Sequence, residues 1–311
     1  MSGHLLNSNK NTGKSDLIKT RLVEAQLLEG KKTAEKLRSI ISREVEIYSK
    51  KRGVVPTLRA IQVGEDPASG LYLKSQRRTS ESVGIKHETT SLDASASEKG
   101  LIGEIERANH DPRVHGIIVQ MPLPKTFQID RVLDAIHPDK DVEAVTTRNL
   151  GRLLINKEGL APCTARACIR LVEETGVDVY GKEAVVIGSS KVVGLPVLLL
   201  LIGKKLTSTI CHTGTFKSGA LESHVRRADV LVVSAGKPAL VPGAWIKEGA
   251  IVIDVGINQV DGKMVGDVEF ETARKRASFI TPVPGGVGPL TVMTLMENLA
   301  AVLKMQGGMN S

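Results

Sequence analysis

The chain has 311 residues, 41% apolar and 24% charged, which is material for about two domains with packed cores and excludes a disordered tail or a small disulfide scaffold. Forty-two Lys and Arg against 34 Asp and Glu leave a formal charge of +8, which favours anionic ligands such as nucleotides, phosphates or polycarboxylates. Only 3% of residues are aromatic and no basic stripe is interleaved with rings, so no nucleic-acid platform is expected, and three cysteines (Cys163, Cys168, Cys211) in no disulfide or zinc-finger pattern point to a reducing, cytoplasmic compartment.

The first two dozen residues, rich in Ser, Asn, Lys and Gly, read as a disordered lead without a secretory h-region. Gly13-Lys14-Ser15 within them resembles the end of a P-loop, but Ser8 stands where its leading glycine is needed and no apolar strand precedes it. From Gly30 onward, amphipathic segments alternate with short β-branched runs, the pattern of parallel sheets covered by helices, so the fold class is α/β. The first unit has helices near 30–51, 68–83, 97–109 and 128–136, with strands Thr57–Val63, Lys86–Ser91 and Gly116–Val119. Periodicity then lapses between about 140 and 162, the expected junction, until a helix near Thr164–Thr175. A second α/β unit follows, with strands Ala184–Ile187, Ser208–Cys211, Val230–Val233, Ile251–Asp254 and Phe279–Ile280, and an Asp261-Gly262 hairpin turn between the last two. The final helix, Leu290–Leu303, has no strand after it and is expected to pack back on the first unit. The longest apolar stretch, Val192 to Gly203, is broken by Gly194 and Pro196 and falls short of the roughly 18 residues a membrane span needs.

Four segments carry chemical content. The strand Ala184–Ile187 runs through Gly188-Ser189-Ser190 and Gly194 into an apolar helix, where a glycine turn and free helix N–H groups would receive a pyrophosphate. Only two glycines are present, so the spacing departs from G-x-G-x-x-G, and a tight turn in any doubly wound domain fits equally. Thr281–Thr291 alternates prolines and glycines between a strand and a helix, as suits a rigid wall beside a planar ligand or an interdomain hinge. Tyr72 and Gln76 share one face of a helix, and Gln120 ends a strand stopped by prolines, where open α/β sheets border their ligands, although on residue type and spacing alone an ordinary core or surface role fits these three better. His212 beside Cys211 has no partners at metal-ligand spacing and reads as structural.

From about Leu28 to Lys304 the chain resembles the methylenetetrahydrofolate dehydrogenase/methenyltetrahydrofolate cyclohydrolase family. The matching segments include Ala68-Ser69-x-x-Tyr72, Val119-Gln120-Met121-Pro122-Leu123-Pro124, His137–Val142, Pro162-Cys163-Thr164, Asp254–Asn258, Gly266-Asp267-Val268 and Thr281–Thr291. The resemblance implies two three-layer domains with a cleft between them: a folate-binding catalytic domain over 27–148, completed by the closing helix at 289–311, and a Rossmann-type NAD(P)-binding domain over 149–288, after a lead at 1–26. It also implies NADP or NAD as cofactor, a folate one-carbon derivative as substrate and a homodimer. Tyr72, Gln76 and Gln120 would be the catalytic positions. Ser69, Tyr72, Gln120, Glu143, Pro284, Gly285 and Gly286 would contact substrate, and Gly188, Ser189, Ser190, Gly194, Thr213 and Ile257 the dinucleotide.

The chain departs from the family pattern at several of these positions. Gln76 stands where the family carries the lysine assigned to hydrolytic proton chemistry, and a carboxamide has no charge and exchanges no proton near neutral pH. The expected activity is therefore oxidation of 5,10-methylenetetrahydrofolate with weak or lost cyclohydrolase. The alternatives are an ordinary bifunctional enzyme and, from another class, a catalytically silent folate- or nucleotide-binding paralogue. Glu143-Ala144 replaces Asp-Gly, which places the pterin-holding carboxyl one methylene further out and disfavours a positive φ at Ala144. Ser189 replaces an arginine that can pair with the 2′-phosphate of NADP, which weakens that preference unless Lys191 or Lys217 compensates.

Overall fold

The computed structural model describes residues 24–64, 67–155 and 159–306, apart from the side chains of residues 67–69 and 71; the lead expected over residues 1–23 lies outside the described residues. The chain enters through a two-residue strand, β1 (Gln26–Leu27), and then α1 (Gly30–Arg52), β2 (Thr57–Val63), α2 (Pro67–Glu81), β3 (Lys86–Leu92), α3 (Glu98–His110), β4 (Gly116–Val119) and α4 (Ile129–Asp134) build the first unit. Its parallel sheet has the order β3-β2-β4. Every residue of β4 is buried, as expected of a strand covered on both faces.

The segment between the units holds a helix that the sequence pattern does not reveal, α5 (Thr147–Leu154). Thr146 caps it by accepting from Asn149 N at 3.3 Å, and the Asn149 amide donates to Pro138 O and Asp141 Oδ2, both at 2.9 Å. Leu150, Leu153 and Leu154 fall at helical spacing, but the run is short, only Asn149 of its eight residues is buried and Leu154 is 65% exposed, so a cap with tertiary hydrogen bonds holds the helix more than a core face does.

The second unit follows: α6 (Cys163–Glu174), β5 (Glu183–Ile187), α7 (Gly194–Gly203), β6 (Thr207–Cys211), α8 (Thr213–Lys217), α9 (Leu221–Arg227), β7 (Val230–Val233), β8 (Ile251–Asp254), the hairpin β9 (Asn258–Val260) and β10 (Lys263–Val265), α10 (Phe270–Ala273) and β11 (Phe279–Ile280). Six parallel strands lie in the order β1-β11-β8-β7-β5-β6. Asp261 and Gly262 turn the hairpin with φ of 49° and 75°, the left-handed pair a two-residue turn requires. The chain steps from β5 to β6 on one side and then crosses to β7 on the other, so the β5–β7 boundary is the switch point at which doubly wound sheets open a crevice.

Two features tie the ends of the chain together. Gln26, assigned from sequence to the lead, pairs with Phe279 in β1, and Ala25 beside it is buried; a two-residue edge strand has no period to detect. The last helix, α11 (Val287–Gln306), leaves the second sheet and packs against α1, α2 and α6. It is bound there by Thr294 Oγ1 donating to Cys163 O at 2.9 Å, and by the buried Asn298 amide donating to Val142 O (2.8 Å) and Ala161 O (2.9 Å). Among the described residues no helix is long and apolar enough to cross a membrane.

Candidate functional site

A cavity of about 170 Å³ lies between the units, with Tyr72, Met121 and Glu143 on one wall, Val192 and Val193 of the second unit on another, and Cys163 at the head of α6. Tyr72 and Gln76 are one turn apart on α2, and Gln120 leaves the end of β4. Gln120 Nε2 donates to Gln76 Oε1 at 3.0 Å, with Gln76 wholly buried and Gln120 5% exposed. Gln76 Nε2 has no hydrogen-bond partner among the described residues. A buried amide left in that state costs about 1–3 kcal/mol, and neither Gln76 nor Gln120 is among the residues lining the cavity. Ser69 lies on α2, but its side chain is outside the described residues.

Burial, the Glu143 carboxyl and Cys163 together raise the Tyr72 hydroxyl above its ordinary range, with the Gln76 amide pulling the other way, so the phenol stays protonated. Burial also pushes the Glu143 carboxyl up to about 8, with Asp141 adding to the shift. Asp141 accepts from Val145 N (3.3 Å), Thr146 N (2.9 Å) and the Asn149 amide. Ala144 between them takes φ 56°, so the turn keeps the left-handed conformation that its side chain disfavours, at a cost of about 1 kcal/mol. Cys163 is held as a thiol by burial and donates to Val142 O at 3.5 Å. Its place in the wall follows from the start of α6, one residue before the helix expected from sequence at Thr164.

The second cavity, about 370 Å³, opens at the β5–β7 switch point, with Gly188, Ser189, Ser190 and Thr213 facing Ser234 and Lys237. Gly188 has φ 110°, and a Cβ there would overlap the Ser234 carbonyl; a Cβ on Gly194 would overlap the Gly188 carbonyl. The two glycines therefore let three backbone segments meet, which leaves room for a dinucleotide cradle without the third glycine of the usual fingerprint. Ser190 Oγ accepts from Val193 N (3.1 Å) and Gly194 N (3.4 Å), and Ser190 O accepts from Leu195 N (3.1 Å), so the first two helix N–H groups expected to be free are taken up by the chain itself. Lys191 is turned away from this cavity and pairs with Asp130 of α4 at 2.6 Å across the cleft. His212 caps α8 by accepting from Gly214 N at 3.1 Å.

Lys237 lies over the Phe216 ring at 4.2 Å, and both line this cavity. Neither residue stands out in the sequence, although Lys237 lies on the loop that follows β7, as Gln120 follows β4. Ile257 is 60% exposed on the loop after β8 and is not among the residues lining either cavity. Neither are Pro284, Gly285 and Gly286: Gly285 O accepts from Gly30 N at 3.0 Å, and a Cβ on Gly30 would overlap Gly286 O. Those glycines seat the start of α1 on the loop.

Fold and site together define a two-unit α/β protein with a dinucleotide crevice beside a small-molecule cleft. A family model described as the tetrahydrofolate dehydrogenase/cyclohydrolase catalytic domain matches residues 28–143, and that of the family's NAD(P)-binding domain matches residues 162–307. The chain belongs to the tetrahydrofolate dehydrogenase/cyclohydrolase family. It is 45% identical over 282 residues to bifunctional protein FolD 2 of Geobacter metallireducens, covering 90% of this chain and 98% of that protein. With bifunctional protein FolD of Moorella thermoacetica the identity is 46% over 275 residues, covering 88% and 97%. The crystal structure of Trypanosoma brucei N5,N10-methylenetetrahydrofolate dehydrogenase-cyclohydrolase (FolD), complexed with NADP cofactor and inhibitor, superposes with a TM-score of 0.87 at 36% identity, covering 92% of this chain and 99% of that one.

Proposed function

We propose that this chain oxidises 5,10-methylenetetrahydrofolate to the 5,10-methenyl form with NADP or NAD, and then adds water to give 10-formyltetrahydrofolate. The observation that carries this reading is the cleft cavity, where Tyr72 and Glu143 of the first unit stand against Val192 and Val193, which directly follow the dinucleotide turn. A reduced folate held on one wall and a nicotinamide on the other would bring two carbons into register, and hydride transfer depends chiefly on such positioning. The nicotinamide, when bound, accepts the hydride. Tyr72 lines the pterin with a neutral phenol, Ser69 adds a hydroxyl on the same helix, and Glu143 accepts from the amino-pyrimidine edge. Gln120 donates to Gln76, one turn from Tyr72 on α2, and the pair stands outside the lining of the cavity. Gly188, Ser189, Ser190, Gly194 and Thr213 form the dinucleotide cradle, with Ile257 as an outer contact.

The hydrolytic step needs a proton relay that Gln76 cannot itself provide. The weak or lost cyclohydrolase expected from that amide has less support than the ordinary bifunctional activity, because the relatives at 45% and 46% identity are both named bifunctional. The neutral Gln76–Gln120 pair keeps the monofunctional reading as the second one. Following reduced-nicotinamide formation and methenyl decay separately decides between them. Enzyme-dependent methenyl decay comparable to that of a Gln76→Lys variant supports the bifunctional reading, and decay at the buffer rate overturns it. Absence of turnover with both NAD and NADP would leave only a silent binding paralogue.

The same reading includes a homodimer and a reducing compartment. Ile257 is 60% exposed, and Val260 (40%) and Met264 (44%) are exposed apolar residues on the two faces of the hairpin, opposite Lys263 and Gln259; a second copy would cover such surface. Cys163, Cys168 and Cys211 are all buried free thiols.

A further inference from the structure

Behind the wall of the dinucleotide cavity lie two carboxylates that the chemistry above does not use. Asp254 ends β8 and Asp267 follows the β9–β10 hairpin, with 4% and 0% of their surfaces exposed. Asp267 accepts from three successive backbone groups, Ala235 N (2.6 Å), Gly236 N (2.9 Å) and Lys237 N (2.8 Å), and from Asn258 Nδ2 (2.9 Å). Asp254 accepts from Gly256 N (3.0 Å), Asp267 N (3.0 Å) and Val268 N (2.9 Å). The packing has no slack, since a Cβ on Gly256 would overlap the Asp267 carboxyl and one on Gly266 the Asp254 carboxyl.

Neither carboxylate forms an ion pair among the described residues, and burial, with Asp267 adding, pushes Asp254 up to about 7. Burying acids without a cation is expensive unless fixed dipoles compensate, and here seven N–H donors do so. Three consecutive N–H groups turned onto one anion form a concavity of the kind that elsewhere binds phosphate. In this chain it is filled from behind by a side chain of the same molecule. The segment so gripped is the cavity wall: Ala235 and Lys237 line it, and Lys237 reaches from it over Phe216.

We infer that Asp267 is a positioning residue for the dinucleotide: by holding Ala235, Gly236 and Lys237 in one conformation it shapes the cavity and sets cofactor affinity without touching the cofactor. This rests on the reading of that cavity as the dinucleotide site. A merely structural carboxylate would instead affect thermal stability and both substrates alike.

The test is Asp267→Asn in the full chain, which keeps the shape but turns an amide N–H₂ toward N–H donors. NADP and NAD affinities are measured by direct titration, alongside KM for each substrate and Tm. The expected result is a dinucleotide Kd and KM raised about 10-fold or more, with the folate KM within about 2-fold and kcat at saturating dinucleotide little changed. Unchanged dinucleotide affinity overturns the inference, as does an equal rise in both KM values accompanied by a fall in Tm. Asn258→Ala removes one donor from the same carboxylate and should raise the dinucleotide Kd by about 3-fold, which keeps the question answerable if Asp267→Asn does not fold. Ser189→Trp fills the cavity directly. If it leaves dinucleotide affinity unchanged, the cavity reading itself falls, whereas weakening by Ser189→Trp but not by Asp267→Asn removes the inference alone.

Discussion

Gly194 can be no other residue because its α-hydrogen faces the Gly188 carbonyl at the turn between β5 and α7. Gly194→Ala must push these segments apart, and the expected outcome is a dinucleotide KM raised more than about 10-fold with the folate KM little changed, read in steady-state assays. Glu143 carries a pH dependence of definite sign. Its carboxyl titrates near 8 in the folded chain against 4.5 ordinarily, so between those values the folded state holds a proton that the unfolded chain has lost, and stability falls as pH rises through the window. Melting curves at pH 5 and pH 8.5 should show Tm falling for the wild type relative to Glu143→Gln. Binding runs the other way, because an amino-pyrimidine edge is recognised by the carboxylate: the folate KM should fall as pH rises toward 8, and lose that slope in Glu143→Gln.

Among the elements, α11 does more than close the first unit. Thr294 and Asn298, one turn apart, hold Cys163 O, Val142 O and Ala161 O, so the helix ties the Glu143 segment to the head of α6, which also meet directly through Cys163 Sγ and Val142 O. Leu299 on the same helix is wholly buried against β4 at Gly116. Leu299→Ala should cost about 3 kcal/mol by denaturant titration, the range for a large-to-small change in a packed core. The Lys191–Asp130 pair also crosses the cleft, but with side chains 67% and 73% exposed it should change stability by less than about 1 kcal/mol when Lys191→Ala is made.

For the full chain, the proposed homodimer is open to direct test at the hairpin, where Met264 is 44% exposed. Sedimentation or light scattering should report a dimer for the wild type, and Met264→Asp should shift it toward monomer, since a charge at the centre of an apolar contact is desolvated without a partner.

The strands were legible because parallel sheets bury both faces: Thr57–Val63, Gly116–Val119, Val230–Val233 and Ile251–Asp254 read directly from β-branched runs, and Asp261-Gly262 announced its turn. Helical spacing placed Tyr72 and Gln76 on one face and a strand end placed Gln120, but only the resemblance to a family made them site residues, and of the three only Tyr72 lines the cavity. Other features were settled only by contacts between residues far apart in the chain. β1 exists because β11 offers an open edge, and α5 because Asp141 and Pro138 accept from Asn149. Gly285 and Gly286, read as a ligand wall, meet Gly30, while Lys237 and Asp267 acquire their roles only when β7 and the hairpin come together. Local sequence determines periodicity, turns and backbone freedom, whereas hydrogen bonds and burial between distant segments depend on positions that exist only after the chain has folded.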